Sequence, residues 1–172
     1  VKMTKLPLII NFVLFQTVWF LSLFLEAQSV LYTSGIVVLM FVLSKQHKLD
    51  ALLLVKALPI ALLCEYLAVQ LNLLEFKVSP FPLWLALLWA ALLLCLNTSM
   101  AFITNLKLWQ AYIVCLAFAP ISYYSGAQFG VLSIYSPVWM FWLLYGALWA
   151  AAFTLILIIN QKIKAIINFS KQ

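Results

Sequence analysis

The chain has 172 residues, 67% of them hydrophobic and 8% charged, where a soluble domain is roughly 45–50% apolar and about 25% charged. So short a chain cannot hide that much apolar side chain behind ten basic and four acidic residues, which excludes a water-soluble fold and makes the bilayer the expected solvent. The net charge of +6 comes from lysines alone, and their place in short loops points to membrane topology, not to nucleic-acid binding.

At about 20 apolar residues per membrane-crossing helix, six crossings fill the chain. Apolar runs over residues 6–25, 29–43, 51–71, 81–103, 108–125 and 137–160 predict an all-α, polytopic bundle of six transmembrane helices forming one integral membrane domain over residues 1–172. The first run follows Lys2 and Lys5 as a signal sequence would. It is longer than a typical apolar signal core, and Leu25-Glu26-Ala27 is a poor cleavage site, so it is read as a retained span. Ser34 and Gly35 make the second run the weakest. If six helices alternate, Lys2, Lys5, Lys45, Lys48, Lys107, Lys162, Lys164 and Lys171 fall on one side and Lys77 on the other, which places both termini in the cytoplasm. Trp84, Trp109 and Trp139 stand near predicted helix ends, where they would anchor at the interface. The stretch from Lys162 to Gln172 reads either as an amphipathic extension on anionic headgroups or as a plain helix end.

Polar residues inside the spans need an explanation, because a charge at the bilayer centre costs at least about 2.5–3.5 kcal/mol. An outer layer holds Gln16, Glu65, Ser122 and Tyr123; an inner layer holds Asn11, Lys56 and Asn97. Gln16 and Tyr123 are the expected partners of Glu65. Lys56 can snorkel; it lies nine residues from Glu65, two and a half turns, on the opposite face of the helix. Two readings of Glu65 stay open: a ligand, ion or proton site in the periplasmic half, or a carboxyl that fastens helices together. Gln16, Glu65, Asn97, Ser122 and Tyr123 are the candidate ligand-binding set. Ser122, Gly126 and Gly130 form a small-residue stripe for helix packing, and Gly146 is a notch between Trp142 and Trp149 that serves the same end. Pro120 either lies within a packed helix or breaks it into an irregular loop that lines a cavity. Tyr112, Cys115, Ala119 and Tyr123 share a face below that point and would form one wall of such a cavity.

Catalytic chemistry finds little support. Cys64, Cys95 and Cys115 fall within apolar runs without metal-ligand spacing, and His47 is the single histidine and sits in a loop. No metal site and no cofactor is expected.

The succession Asn11-Phe12-Val13-Leu14-Phe15-Gln16 with Trp19-Phe20, Glu65, Pro82-Leu83-Trp84 with Trp89, Leu96-Asn97 with Ser99, and Pro120-Ile121-Ser122-Tyr123 leading to Gly126 and Gly130 resembles the family of small proteobacterial inner-membrane proteins known as domain of unknown function 2878. This chain has Glu65 where that family more often has Asp, and Ala119 where Gly commonly precedes the proline. The resemblance implies a multi-pass bacterial membrane protein and brings no established activity. The leading functional expectation is binding or translocation of a lipid or other hydrophobic small molecule within the membrane. The alternatives are a scaffold that docks another membrane protein and a lipid-modifying enzyme with Glu65 as acid or base. The expected partners are accordingly membrane lipids, a hydrophobic ligand or another membrane protein, and no nucleic acid.

Overall fold

A computed structural model describes residues 5–135 and 137–169; Lys2 and Lys171, two of the lysines used for orientation, lie outside the described residues. Helix α1 (Lys5–Leu25) runs into a four-residue 3-10 turn (Glu26–Ser29) and returns as α2 (Val30–Leu43). The reversal is made at Glu26, whose φ is +46°. Ser29 and Thr33 hydroxyls donate to the carbonyls of Glu26 and Ser29, so the polar groups of this buried corner are satisfied locally. Helix α3 (His47–Gln70) follows and continues through Pro59.

The fourth predicted span, residues 81–103, is not one helix. Helix α4 (Leu83–Cys95) stops at Cys95, residues 96–100 form turns, and a single helical turn α5 (Ala101–Thr104) follows. The sequence Asn97-Thr98-Ser99 explains the break, because short polar side chains compete with the helix for backbone partners. Helix α6 (Leu108–Gln128) passes through Pro120 without interruption, so of the two readings of Pro120 the packed helix holds and the irregular loop does not. Pro120 has no N–H to give to the Leu116 carbonyl. Gly146 of the last helix, α7 (Val138–Phe169), lies against that carbonyl, and a Cβ at position 146 would stand 2.8 Å from it and 3.1 Å from the Pro120 ring. The notch at Gly146 is therefore a close approach of α7 to α6. Helix α7 extends past the predicted end at 160 as far as Phe169 without a break.

Two three-residue strands, β1 (Leu74–Phe76) and β2 (Leu132–Ile134), pair antiparallel, with Leu74 opposite Ile134, Glu75 opposite Ser133 and Phe76 opposite Leu132. They add a small sheet to an otherwise helical fold and tie the α3–α4 and α6–α7 connections together. Leu74 and Phe76 point inward and Glu75 outward, the alternation a one-sided strand requires. Gly130, at φ +74° and with open space around a Cβ, makes the turn from α6 into β2. Its role is conformational, which corrects its assignment to helix packing. Gly126 does pack, with a Cβ position 3.3 Å from Leu132.

Helix α4 is central: α1 and α2 pack on one side of it and α3 on another, while α7 joins α3 to α6. The outer surface is apolar, with Leu31 79% and Val55 74% exposed, an inside-out pattern that requires a hydrocarbon environment. The stretches Lys5–Leu43, His47–Gln70 and Val138–Phe169 are each long and apolar enough to cross a membrane. The architecture is that of a helical membrane protein. One end of the bundle carries Lys5, Lys45, Lys48, Lys107, Lys162 and Lys164; the other carries the sheet and the Lys77–Glu26 ion pair at 2.6 Å. Trp109 and Trp139 are exposed near helix ends. Trp84 is 4% exposed and meets Phe76 edge-on, so it belongs to the core and not to an interface anchor.

Candidate functional site

Glu65 lies on the inward face of α3, where Ala57, Ala61, Cys64 and Ala68 are also buried. These small neighbours let α4 and α7 approach, and the carboxyl is fully enclosed. Three aromatic donors converge on it. The Trp89 indole Nε1 of α4 donates to Oε1 at 2.9 Å, the Tyr123 hydroxyl of α6 donates to the same oxygen, and the Tyr145 hydroxyl of α7 lies 3.2 Å from both carboxyl oxygens. Four helices thus meet at one side chain. Tyr123 and Tyr145 rings pack at 4.7 Å, and Phe141 stacks on Tyr145 at 5.0 Å, which fixes the donors in place.

Two of these donors also face a cavity. An apolar crevice of about 230 Å³ runs between α1 and α6, bounded by Phe15 and Trp19 of α1, Leu88, Trp89 and Leu92 of α4, Met100 and Ile103, and Trp149 and Phe153 of α7. Helix α6 supplies Val114, Cys115, Phe118, Ala119, Ser122 and Tyr123. Three of the four residues expected to share a wall, Cys115, Ala119 and Tyr123, do so, and Tyr112 does not line it. The crevice opens where Phe118 and Ser122 are exposed. Trp149 stacks on Trp89 at 5.0 Å, and its indole N–H has no hydrogen-bond partner among the described residues. Trp142 instead faces Tyr124.

The sequence-predicted set is therefore divided. Glu65 and Tyr123 meet, and Ser122 lines the crevice beside Tyr123 without reaching Glu65. Gln16 is half-buried, lies outside the lining, and makes no hydrogen bond among the described residues. Asn97 is far from this cluster in the fold, because α4 ends before it. Its amide pairs with that of Asn160 on α7, each donating to the other at 2.8 and 2.9 Å, and its carbonyl accepts from Gln46 at 3.2 Å. Asn11 belongs to the same lysine-rich end: it accepts from the Ser99 hydroxyl at 2.6 Å and approaches the Leu94 carbonyl at 3.4 Å. Lys56 does not complete that layer; it is exposed on the opposite face of α3.

Trp89, Tyr145 and Asn160 are the residues that sequence reasoning missed. The signal was weak but present: a buried carboxyl demands donors, and Trp and Tyr are the donors an apolar span can carry. Cys64, Cys95 and Cys115 are free and buried, and the described residues contain no group of three His, Cys, Asp or Glu side chains able to hold a metal ion.

No curated protein and no solved structure matches the chain. Residues 8–155 match the family described as proteins of unknown function, DUF2878, a range that contains Glu65, all three of its donors and every wall of the crevice. The chain belongs to the DUF2878 family.

Proposed function

We propose that the protein binds a lipid or other elongated hydrophobic molecule in the crevice between α1 and α6, with the Glu65 cluster holding its polar end of the cavity in shape. The observation that carries this reading is the crevice itself: almost wholly apolar, open at the outer surface of the bundle, and lined by Tyr123 and Trp89, whose polar atoms are fixed by one buried carboxyl. Its volume is below the roughly 300–1,000 Å³ of a drug-sized site, so it suits one narrow element such as a single acyl or isoprenoid chain. Glu65 does not touch the ligand in this reading. It is a positioning residue, because its oxygens are already engaged by three donors.

The topology that goes with this function has six passes: α1, α2, α3, α4 with α5, α6 and α7. Helices α2 and α4 have 14 and 13 residues, about 21 and 20 Å, less than a bilayer core of about 30 Å. The 3-10 turn before α2 and the turns and α5 after α4 make up the difference. The lysine-rich end faces the cytoplasm of a bacterial inner membrane and the sheet faces outward, as the distribution of lysines supports.

Filling the crevice tests the function. Ala119→Phe adds a ring to its wall while leaving Glu65 and its donors untouched. Native mass spectrometry with lipid extraction should find a bound hydrophobic molecule on the wild-type protein and at least a fivefold lower occupancy on the filled variant. Equal occupancy on both would refute the assignment.

A further inference from the structure

Independently of the crevice, the lysine-rich end holds a second cavity, of about 480 Å³, between the α2–α3 connection and the last turns of α7. Its walls include Lys45, His47, Lys48 and Lys164. These residues come from segments more than a hundred positions apart, and the fold gathers them on one concavity against their mutual repulsion. No acidic side chain lines it. Among the described residues the acidic side chain at this end of the bundle is Asp50, which is 1% exposed and already accepts from Ser44. The lysines form no ion pair among the described residues.

The backbone adds to the same field. Helix α3 begins at His47, and its N-cap residue Gln46 makes no side-chain cap bond. The Asp50 N–H is the first to reach a helical partner, the Gln46 carbonyl, so the first-turn residues His47, Lys48 and Leu49, which line the cavity, stand at the positive end of a 24-residue helix. Leu49 gives one wall an apolar floor, next to which a glycerol or the start of an acyl chain can lie. Basic cavities between helices at the charged rim of a membrane protein recognise phosphate-bearing headgroups.

We propose that this cavity is a binding site for a phosphate group, with Lys45, Lys48 and Lys164 as its cationic ligands. Both an anionic phospholipid headgroup and free phosphate carry this chemistry.

The test uses the purified full-length chain in a neutral detergent, titrated with short-chain phosphatidylglycerol and read by native mass spectrometry. The variant with Lys45→Gln, Lys48→Gln and Lys164→Gln is compared with a charge-matched control carrying Lys5→Gln, Lys107→Gln and Lys162→Gln, all at exposed positions outside the cavity. The cavity variant should lose at least about tenfold in apparent affinity and the control less than about threefold. Lys164→Arg alone should keep the binding. Inorganic phosphate at millimolar concentration distinguishes the two sources: full displacement of the lipid assigns a bare phosphate site, and persistence of the lipid adduct assigns a headgroup site. Equal losses in the cavity variant and the control, or wild-type affinity in the cavity variant, would overturn the proposal.

Discussion

Two buried polar clusters hold this bundle together, and they are built on opposite principles. At the lysine-rich end, Asn97 and Asn160 exchange donor for acceptor, so the pair satisfies itself and asks nothing of its surroundings. Around Glu65, three donors from three helices converge on one acceptor group. A self-complementary pair is a fastener. A convergent cluster is a fastener too, but it also fixes the orientation of Trp89 and Tyr123, and those two side chains form the polar end of a cavity. The difference teaches that the polarity of a membrane-embedded residue says less about its use than the direction in which its partners' other surfaces face.

The largest expected effect comes from breaking the convergent cluster. Glu65→Ala leaves the Trp89 N–H and the Tyr123 and Tyr145 hydroxyls without their acceptor in a site closed to water. Each such group costs about 1–3 kcal/mol in a soluble core, and membrane hydrogen bonds average nearer 0.6 kcal/mol, so a loss on the order of 3 kcal/mol is expected. Thermal unfolding in detergent reads it as a clear fall in Tm. Removing a single donor with Tyr123→Phe should cost under about 1 kcal/mol while still lowering ligand occupancy, which separates the fastening role from the positioning one.

The amide pair should behave differently. Asn97→Leu alone strands the Asn160 amide and should cost about 1–2 kcal/mol. The double variant Asn97→Leu with Asn160→Leu removes both partners and should recover part of that loss, a positive coupling in a double-mutant cycle. Strict additivity would show that the two amides do not act as a pair.

The smallest effect lies at the sheet, where Tyr135 donates to Glu75 at 2.8 Å in the open. This bond to the carboxylate holds the Tyr135 hydroxyl above its ordinary value of 10.0. Because the folded value is raised, the bond's contribution is fully present below the ordinary tyrosine range and disappears as the pH rises through the raised value. A spectrophotometric titration should show this shift and its loss in Glu75→Gln, with no measurable change in stability at neutral pH.

How much of this was legible in the sequence follows from the range of the interactions. The helices were readable because apolar runs are local, and their ends moved only where a tertiary or polar preference intervened. Asn97-Thr98-Ser99 cut the fourth run short, and α7 continued because nothing between 160 and 169 stops a helix. The sheet was invisible: two segments of three residues, 58 positions apart, carry no periodicity of their own. Glu65 was readable as a residue in need of partners, and Tyr123 as one of them, since both are unusual in an apolar span. Trp89 and Tyr145 were concealed by the abundance of aromatics, any of which could have served. Gln16 was assigned by its estimated depth alone, and depth does not determine which way a helix face is turned.

A hydrocarbon chain in the crevice between α1 and α6 should be captured by photolabelling, with the protein reconstituted in vesicles that contain a phospholipid carrying a diazirine on its acyl chain, followed by mapping of the labelled residues. Label is expected to concentrate at Phe15, Trp19 and residues 118–123 and to fall in Ala119→Phe. Label spread evenly over exposed apolar residues such as Leu31, Val42 and Val55, with no enrichment at the crevice, would contradict it.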